Sequence, residues 1–196
     1  APASVRCVST DGHMPLNFLC ANKEVDELAA TEILKLLIEK CPGSAQHVDS
    51  EGDLPIHLAV QEVAKSPEFC RVLIEAYPDS IQVSDSRGVL PLHYACGENN
   101  VATVEFLYKL YPDAVNHTTI TGNYPIHCAI MSFFKRANPE GAMETVQYLL
   151  DCDPDVKFQK FRGLSLLNFA CVGNYNDSNI AAAIQIIKAT YDAYPE

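Results

Sequence analysis

The 196-residue sequence has no apolar run approaching the roughly 18 residues that a membrane-spanning helix requires. Its amino end, residues 1–7, also lacks the apolar stretch of a signal peptide. These two absences predict a soluble, intracellular chain, with the cytoplasm as the expected compartment and no membrane partner. The first residue is Ala rather than Met, which leaves open whether the chain is processed or is a fragment of a longer protein.

Basic residues are scarce, with 14 Lys and Arg against 25 Asp and Glu and a formal net charge of −11. Only Lys135 and Arg136 are adjacent in sequence. Because phosphate binding depends on clustered Lys and Arg, nucleic acid is not an expected partner. Residues 1–98 carry 15 acidic and 7 basic side chains (−8), and residues 99–196 carry 10 and 7 (−3). The excess acid has two interpretations, a solvated surface or the steering of a basic partner.

Five related phrases recur along the chain, each opening with a glycine and continuing toward a Pro-Leu-His or similar triplet. Their glycines lie 40, 36, 34 and 41 residues apart, and the phrases occupy residues 12–17, 52–57, 88–93, 122–127 and 163–168. A period in this range predicts stacked supersecondary units rather than one fold around a central active site.

The unit nearest the basic period, residues 85–122, shows how each repeat is built. Asp85 and Gly88 have turn chemistry, and Pro91 suits the first position of a helix. The segment from residue 97 to residue 100 should break this first helix. A second amphipathic helix should then run from Val101 to about Tyr111 and stop at the following proline.

These phrases resemble the ankyrin repeat, whose unit of about 33 residues carries Thr-Pro-Leu-His-x-Ala after a glycine-centred turn. The resemblance covers residues 10–195. It implies an all-α, ankyrin-like solenoid of five helix-turn-helix repeats, about ten helices, with hairpin-like turns. It also implies one domain over residues 1–196, with repeats at approximately 10–48, 49–84, 85–118, 119–159 and 160–196.

The chain departs from the family pattern in three ways. The motif Thr is replaced in all five copies and its hydroxyl is missing in four, so the usual hydroxyl partner of His57, His93 and His127 is not expected. A proline-containing turn replaces the usual Gly-Ala after the second helix, so a left-handed glycine stop is not expected. Uneven spacing from the motif to the closing proline predicts extra segments between helices at residues 21–26, 131–141 and 173–179.

Eight cysteines are dispersed without a Cys-x-x-Cys pair. Cys20, Cys96 and Cys171 each lie three residues after the motif His or Asn, where a small apolar side chain packs between helices. We therefore expect buried thiols in a reducing compartment rather than a disulfide framework.

Candidate chemical sites are weak. His93 and Cys96 are three residues apart on one helix, yet both fall at structural motif positions. Equivalent histidines in stacked repeats lie too far apart to share a zinc ion. Residues 151–155 lack the ligand pattern of a calcium loop and are typical of a helix-ending turn. We therefore expect no catalytic residues, no cofactor and no metal, and a protein that is not an enzyme.

The resemblance also implies that Asn116 occupies a position open to asparaginyl hydroxylation. The simpler interpretation is a loop Asn whose side chain bonds local backbone.

The resemblance implies protein binding on a concave face made by the turn tips and first helices. The expected partner is a protein or peptide, with a basic segment preferred, and the chain is expected to be a monomer. Tyr94 and Phe18 serve either as anchors or as interhelical packing. The alternative function is a spacer or scaffold segment of a longer repeat array. The predicted binding residues are Asp11, His13, Glu51, Asp53, Glu62, Arg87, Tyr94, Glu98, Asn123 and Met131.

Overall fold

The computed structural model describes residues 7–61, 65–135, 139–172 and 180–194. In this part of the chain there are ten α-helices and no named strand, which confirms the predicted all-α fold class. The chain divides into two compact units, Ala1–Pro91 and Leu92–Glu196. The helices are α1 (Pro15–Ala21), α2 (Glu27–Lys40), α3 (Pro55–Val60), α4 (Pro67–Ala76), α5 (Pro91–Glu98), α6 (Val101–Leu110), α7 (Pro125–Lys135), α8 (Pro139–Cys152), α9 (Leu166–Cys171) and α10 (Ile180–Asp192).

A tight glycine turn precedes each helix pair. In the first four turns, a backbone N–H donates to the carbonyl four residues later, and the glycine between them has a φ of +79°, +83°, +73° or +82°. This three-residue loop ending in a left-handed residue is one that glycine adopts without steric cost. The donor and acceptor residues are Ser9 and His13, Asp49 and Asp53, Asp85 and Val89, and Thr119 and Asn123.

Local sequence also explains where the helices begin. Proline occupies the first turn of α1 and α3, where its fixed φ is already helical and its missing N–H is not needed. Polar side chains cap three of the second helices. The side chains of Asp26, Ser66 and Asn100 accept backbone N–H groups at 3.2, 3.3 and 3.2 Å, respectively.

The second helices do not simply stop at their closing proline. The residue before it has an extended φ, −145° at Cys41 and −146° at Tyr77, so the predicted absence of a left-handed stop is confirmed. The proline then starts a short 3₁₀ turn, which the sequence reasoning missed. Such turns occur at Pro42–Gln46, Pro78–Gln82, Pro112–Asn116 and Pro154–Phe158.

Each unit has its own core. In the first unit α1 packs on α3 and α2 packs on α4, with Leu16, Leu34, Ile56 and Phe69 fully buried. In the second unit α8 packs against α6, α7 and α10, and α10 also packs against α9. Its buried side chains include Ile126, Ile130, Val146, Leu149 and Ile186.

Several apolar side chains of the second helices are exposed. Ile33 and Leu36 on α2 are 42% and 52% exposed, and Ile184 on α10 is 60% exposed. Cys20 and Cys96 are fully buried as predicted, whereas the prediction for Cys171 is wrong, since its thiol is exposed. The exposed residues Ile33, Leu36, Cys171 and Ile184 lie in the first and last helix pairs. Among the described residues, those pairs have a neighbouring pair on one side only, so part of their apolar surface stays uncovered.

The boundaries between paired helices differ from the prediction in two places. Gly97 is helical, and the first helix of that pair ends instead at Glu98, just before Asn99, whose φ is +58°. The extra segment at residues 21–26 does connect α1 and α2. Of the segment predicted at 131–141, residues 131–135 belong to α7 and residues 139–141 belong to α8, and residues 136–138 lie outside the described residues. The third predicted segment, residues 173–179, lies outside the described residues.

Candidate protein-binding surface

Three glycine turns of the first unit bring half of the predicted binding residues onto one surface. We call residues 9–13, 49–53 and 85–89 the first-unit turn face. It carries the predicted binding residues Asp11, His13, Glu51, Asp53 and Arg87.

Backbone hydrogen bonds join these turns directly. The Ser50 N–H donates to the carbonyl of Asp11 at 3.3 Å, and the Ser86 N–H donates to the carbonyl of Glu51 at 3.2 Å. A Cβ placed on Gly12 or Gly52 would lie 2.9 Å from the nitrogen of Ser50 or Ser86. Two separate reasons therefore require glycine at these positions: the left-handed φ and the close approach of the next turn.

Aspartate side chains cap the second and third turns by accepting backbone N–H groups of the same turn. Asp49 Oδ1 accepts the N–H groups of Glu51 and Asp53, both at 2.9 Å. Asp85 Oδ1 accepts those of Arg87 and Val89 at 2.9 and 2.8 Å. The sequence signal for this role was present, because Asp-Ser-x-Gly occurs at both turns. Neither Asp49 nor Asp85 was among the predicted binding residues.

Side chains also connect one turn to the next. His13 Nε2 lies 3.0 Å from Asp49 Oδ2. Arg87 Nη2 lies 2.9 Å from Asp85 Oδ2 in its own turn and 3.9 Å from Asp53 Oδ2 in the preceding turn. The turn face therefore holds five carboxylates, those of Asp11, Asp49, Glu51, Asp53 and Asp85, against one guanidinium. Its net charge is strongly negative when His13 is neutral.

Exposure separates these carboxylates into two groups. Asp11 and Glu51 are exposed, whereas Asp49 and Asp85 are buried. Asp53 is only 4% exposed and lies 3.8 Å from Nδ1 of His57. The sequence reasoning placed Asp53 outside the core, and the structure corrects this, because its carboxylate faces Arg87 and the motif histidine rather than solvent. A charge reversal at Asp53 would consequently disturb folding as well as the surface.

The motif histidines support the turns through backbone groups instead of the missing Thr hydroxyl. Nδ1 of His57 accepts the Leu54 N–H at 2.9 Å, and its Nε2 lies 3.0 Å from the carbonyl of Val83. Nδ1 of His127 likewise accepts the Tyr124 N–H at 3.2 Å. In the first repeat, Asn17 Oδ1 accepts the Met14 N–H at 3.0 Å, so asparagine performs the same task. Burial lowers the pKa of His57 and of His127 to about 4, which keeps both rings neutral near pH 7.

The remaining predicted residues lie elsewhere. Tyr94, Glu98, Asn123 and Met131 belong to the second unit and are partly buried, and Glu62 lies outside the described residues. Asn123 supports its own turn, because its backbone N–H donates to Thr119 Oγ1 at 3.1 Å and its Nδ2–H donates to Thr121 Oγ1 at 2.7 Å. Of the two possible aromatic anchors, Phe18 is 55% exposed and its ring centroid is 5.3 Å from that of His13.

The positions considered for chemistry have structural environments. Burial raises the pKa of the Cys96 thiol well above its usual value, which disfavours the nucleophilic thiolate. Asp153 Oδ1 accepts the Asp155 N–H at 3.0 Å and so caps the 3₁₀ turn, as expected of a helix-ending segment. Within the described ranges no group of three or more His, Cys, Asp or Glu is arranged to hold a metal ion.

The side chain of Asn116 is hydrogen-bonded to the following repeat. Its Oδ1 accepts the Gln159 Nε2–H at 2.9 Å, and the same nitrogen lies 3.0 Å from the carbonyl of Val115. The Asn116 amide is therefore held by a side chain from the neighbouring repeat rather than by its own local backbone.

Comparisons with known proteins agree with this architecture. The family model for ankyrin repeats matches residues 25–118 and 65–159, with three copies in all. A crystal structure of EF0377, an ankyrin repeat protein, superposes with a TM-score of 0.71 at 18% sequence identity, covering 95% of this chain and 84% of that one. No curated protein matches the sequence significantly. No helix in the described segments is long and apolar enough to cross a bilayer.

The family model covers well over half of the sequence, and the similar structure has the same helical fold. Ankyrin repeats generally serve as protein–protein interaction modules and are generally non-enzymatic. The turn geometry, the paired helices and the family match together show that this chain belongs to the ankyrin-repeat family.

Proposed function

We propose that this protein is a non-enzymatic interaction module that binds a basic segment of a protein or peptide on the first-unit turn face. The observation that carries the proposal is the pair of exposed carboxylates, Asp11 and Glu51, on two turns that are hydrogen-bonded to each other. Rigid neighbouring turns hold these charges in place, so a partner is bound without the entropic cost of ordering loops.

The buried carboxylates strengthen this preference. Asp49 and Asp85 accept backbone N–H groups and lie beside His13 and Arg87, and their formal negative charges add to those of Asp11 and Glu51. Interaction between such charges and a basic partner is long-range and screened by salt, with a Debye length of about 8 Å at physiological ionic strength. Association with a basic partner should therefore slow as salt increases.

The direct test is charge reversal at the two exposed positions. Asp11→Lys with Glu51→Lys should abolish capture of partners from the native source, while the helical circular dichroism spectrum stays that of the wild type. Asp53 is left intact because it is buried. The matched control is Glu75→Lys with Asp79→Lys, two exposed positions of the same unit on α4 and its following 3₁₀ turn, which change the net charge equally.

The two variants separate a specific surface from a general effect of charge. Loss of partners in the turn variant alone supports the proposal. Equal partner sets for wild type and both variants would mean that the acidic turns are merely solvated. Equal loss in both variants would assign the effect to net charge and would contradict a localised site.

A further inference from the structure

The outermost residue of each first-unit turn occupies an equivalent position, two residues after the turn's first hydrogen-bonded residue. These positions hold Asp11, Glu51 and Arg87. Asp11 and Glu51 are exposed, and the Arg87 side chain is 51% exposed. Along the stack of turns the exposed formal charges therefore read negative, negative, positive.

The backbone fixes the order and spacing of these charges. The carbonyls of Asp11 and Glu51 are themselves the acceptors that join each turn to the next. Packed helices stack about 8 to 10 Å apart, so equivalent residues of neighbouring repeats recur at about that distance. A peptide in the extended polyproline II conformation has three residues per turn and advances about 3.1 Å per residue, so its residues i, i+3 and i+6 lie on one face about every 9 Å.

Arg87 is held in place more firmly than an ordinary surface arginine. Its Nε donates to Asp85 Oδ2 at 2.9 Å, its Nη2 lies 2.9 Å from the same oxygen, and Asp53 approaches the guanidinium from the preceding turn. A basic partner residue at the third position would meet this fixed guanidinium, and like charges in close approach repel.

We propose that the partner is an extended segment with basic residues at i and i+3 and an acidic residue at i+6, in register with Asp11, Glu51 and Arg87. Arg87 is then the specificity-determining residue that ends the basic stretch of the partner. This inference rests on the proposed function, since it concerns the same turn face. The reversed order, acidic then basic then basic, also fits, because an extended peptide can run along the turns in either direction.

The test compares fluorescent peptides whose intervening positions are Ala and Ser. The matched peptide is Lys-x-x-Lys-x-x-Glu, and the mismatched peptide, Lys-x-x-Glu-x-x-Lys, has the same composition and no correct register in either direction. In fluorescence anisotropy at low salt, the matched peptide should bind at least about threefold more tightly than the mismatched one. In the mismatched peptide Glu meets Glu51 and Lys meets Arg87, so two attractive surface charge pairs become repulsive. Peptide Lys-x-x-Lys-x-x-Lys should bind less tightly than the matched peptide.

Substitution of Arg87 tests whether this residue determines the preferred charge at the third position of the peptide. Arg87→Glu should reverse the preference, so that Lys-x-x-Lys-x-x-Lys binds more tightly than Lys-x-x-Lys-x-x-Glu. Because Arg87→Glu adds a carboxylate beside Asp85 and could impair folding, Arg87→Gln is the second variant. It removes the guanidinium but leaves the Asp85 and Asp53 carboxylates, so it should also favour Lys-x-x-Lys-x-x-Lys, and Arg87→Lys should restore the wild-type order.

Glu51→Gln tests the proposed binding of a basic segment at the first-unit turn face, independently of the order of charges in the peptide. If Glu51→Gln weakens binding of every peptide while charge order has no effect, the register is overturned and the binding face stands. If neither charge order nor Glu51→Gln changes the affinity, or if no peptide binds to wild type, both the register and the basic-segment proposal are overturned.

Discussion

The turns of the first unit and those of the second unit share a backbone but differ in the group that caps it. Aspartates cap two turns of the first unit, and the Ser9 hydroxyl caps its remaining turn by accepting the His13 N–H at 3.1 Å. In the second unit the Thr119 hydroxyl accepts the Asn123 N–H at 3.1 Å. The last turn is shorter still. Phe161 and Leu164 exchange both backbone hydrogen bonds around Arg162 and Gly163, which have φ values of +50° and +80°. Two consecutive left-handed residues are typical of a two-residue hairpin turn.

This difference separates what the fold needs from what the surface carries. A hydroxyl is sufficient to cap the turn, so the aspartates of the first unit add negative charge beyond the structural requirement. In the turns of Asp11 and Glu51 the caps are Ser9 and Asp49, whereas Asp11 and Glu51 themselves are exposed. The acidic character of the first unit consequently exceeds what the capping of its turns requires.

The largest expected effect is the same in both units. Ile56 and Leu92 occupy equivalent first-helix positions and are 1% and 2% exposed. Ile56→Ala and Leu92→Ala should each lower the free energy of unfolding by about 2 to 5 kcal/mol, through lost burial and the cavity left behind. Urea denaturation measures this. A loss under about 0.5 kcal/mol at either position would show that the repeat register is wrong there.

A smaller and unequal effect is expected at the turn glycines. Gly52 and Gly122 have nearly the same φ, +83° and +82°, but only Gly52 would place a Cβ against the next turn. Gly122→Ala should cost about 1 to 2 kcal/mol from its left-handed conformation alone. Gly52→Ala should cost about 2 to 4 kcal/mol, since the clash with Ser86 adds to that strain. Equal losses in the two variants would contradict the tight joining of turns in the first unit.

The smallest effect is a pH dependence. The pKa values of His57 and His127 are lowered to about 4 from 6.5, so the unfolded state takes up protons first as pH falls. Stability is thus complete above pH 6.5 and declines toward pH 4, by on the order of 1 to 2 kcal/mol per histidine by pH 5. Denaturation at pH 7 and pH 5 should show this decline.

Asparagine supplies the matched control for that measurement, because Asn17 makes the equivalent hydrogen bond in the first repeat. His57→Asn and His127→Asn should each flatten the pH dependence. At pH 7 the His127 variant should cost less, since Nε2 of His127 has no hydrogen-bond partner in the described part of the chain, whereas that of His57 contacts Val83. An unchanged pH slope in both variants would assign the decline to other groups.

The sequence predicted most of the fold because each repeat carries its own local signals. Glycine at a left-handed position, proline at a helix start and apolar residues at helical spacing are each readable without tertiary contacts. Proline is ambiguous, however, since it can end one helix and begin another turn. That ambiguity is why the 3₁₀ segments such as Pro78–Gln82 were missed. The proposed boundaries of the five repeats stay a prediction.

The candidate site was less predictable, because exposure depends on neighbours distant in sequence. Glu51 and Asp53 flank the same glycine and looked equivalent, yet Glu51 faces solvent and Asp53 packs toward His57 and Arg87. Cys171 follows the same local pattern as Cys20 but is exposed, since burial at this position requires a covering helix pair. Monomeric state and the exclusion of nucleic acid likewise stay predictions.

The most direct test of the binding surface is a ¹⁵N–¹H NMR titration of the wild-type protein with the peptide Lys-x-x-Lys-x-x-Glu. Amide shifts should concentrate at residues 9–13, 49–53 and 85–89 and should diminish as salt is added. The hydroxyl-capped turn at residues 119–123 is the internal control and should not respond. Shifts centred on that turn, or on the helices instead of the first three turns, would contradict the account.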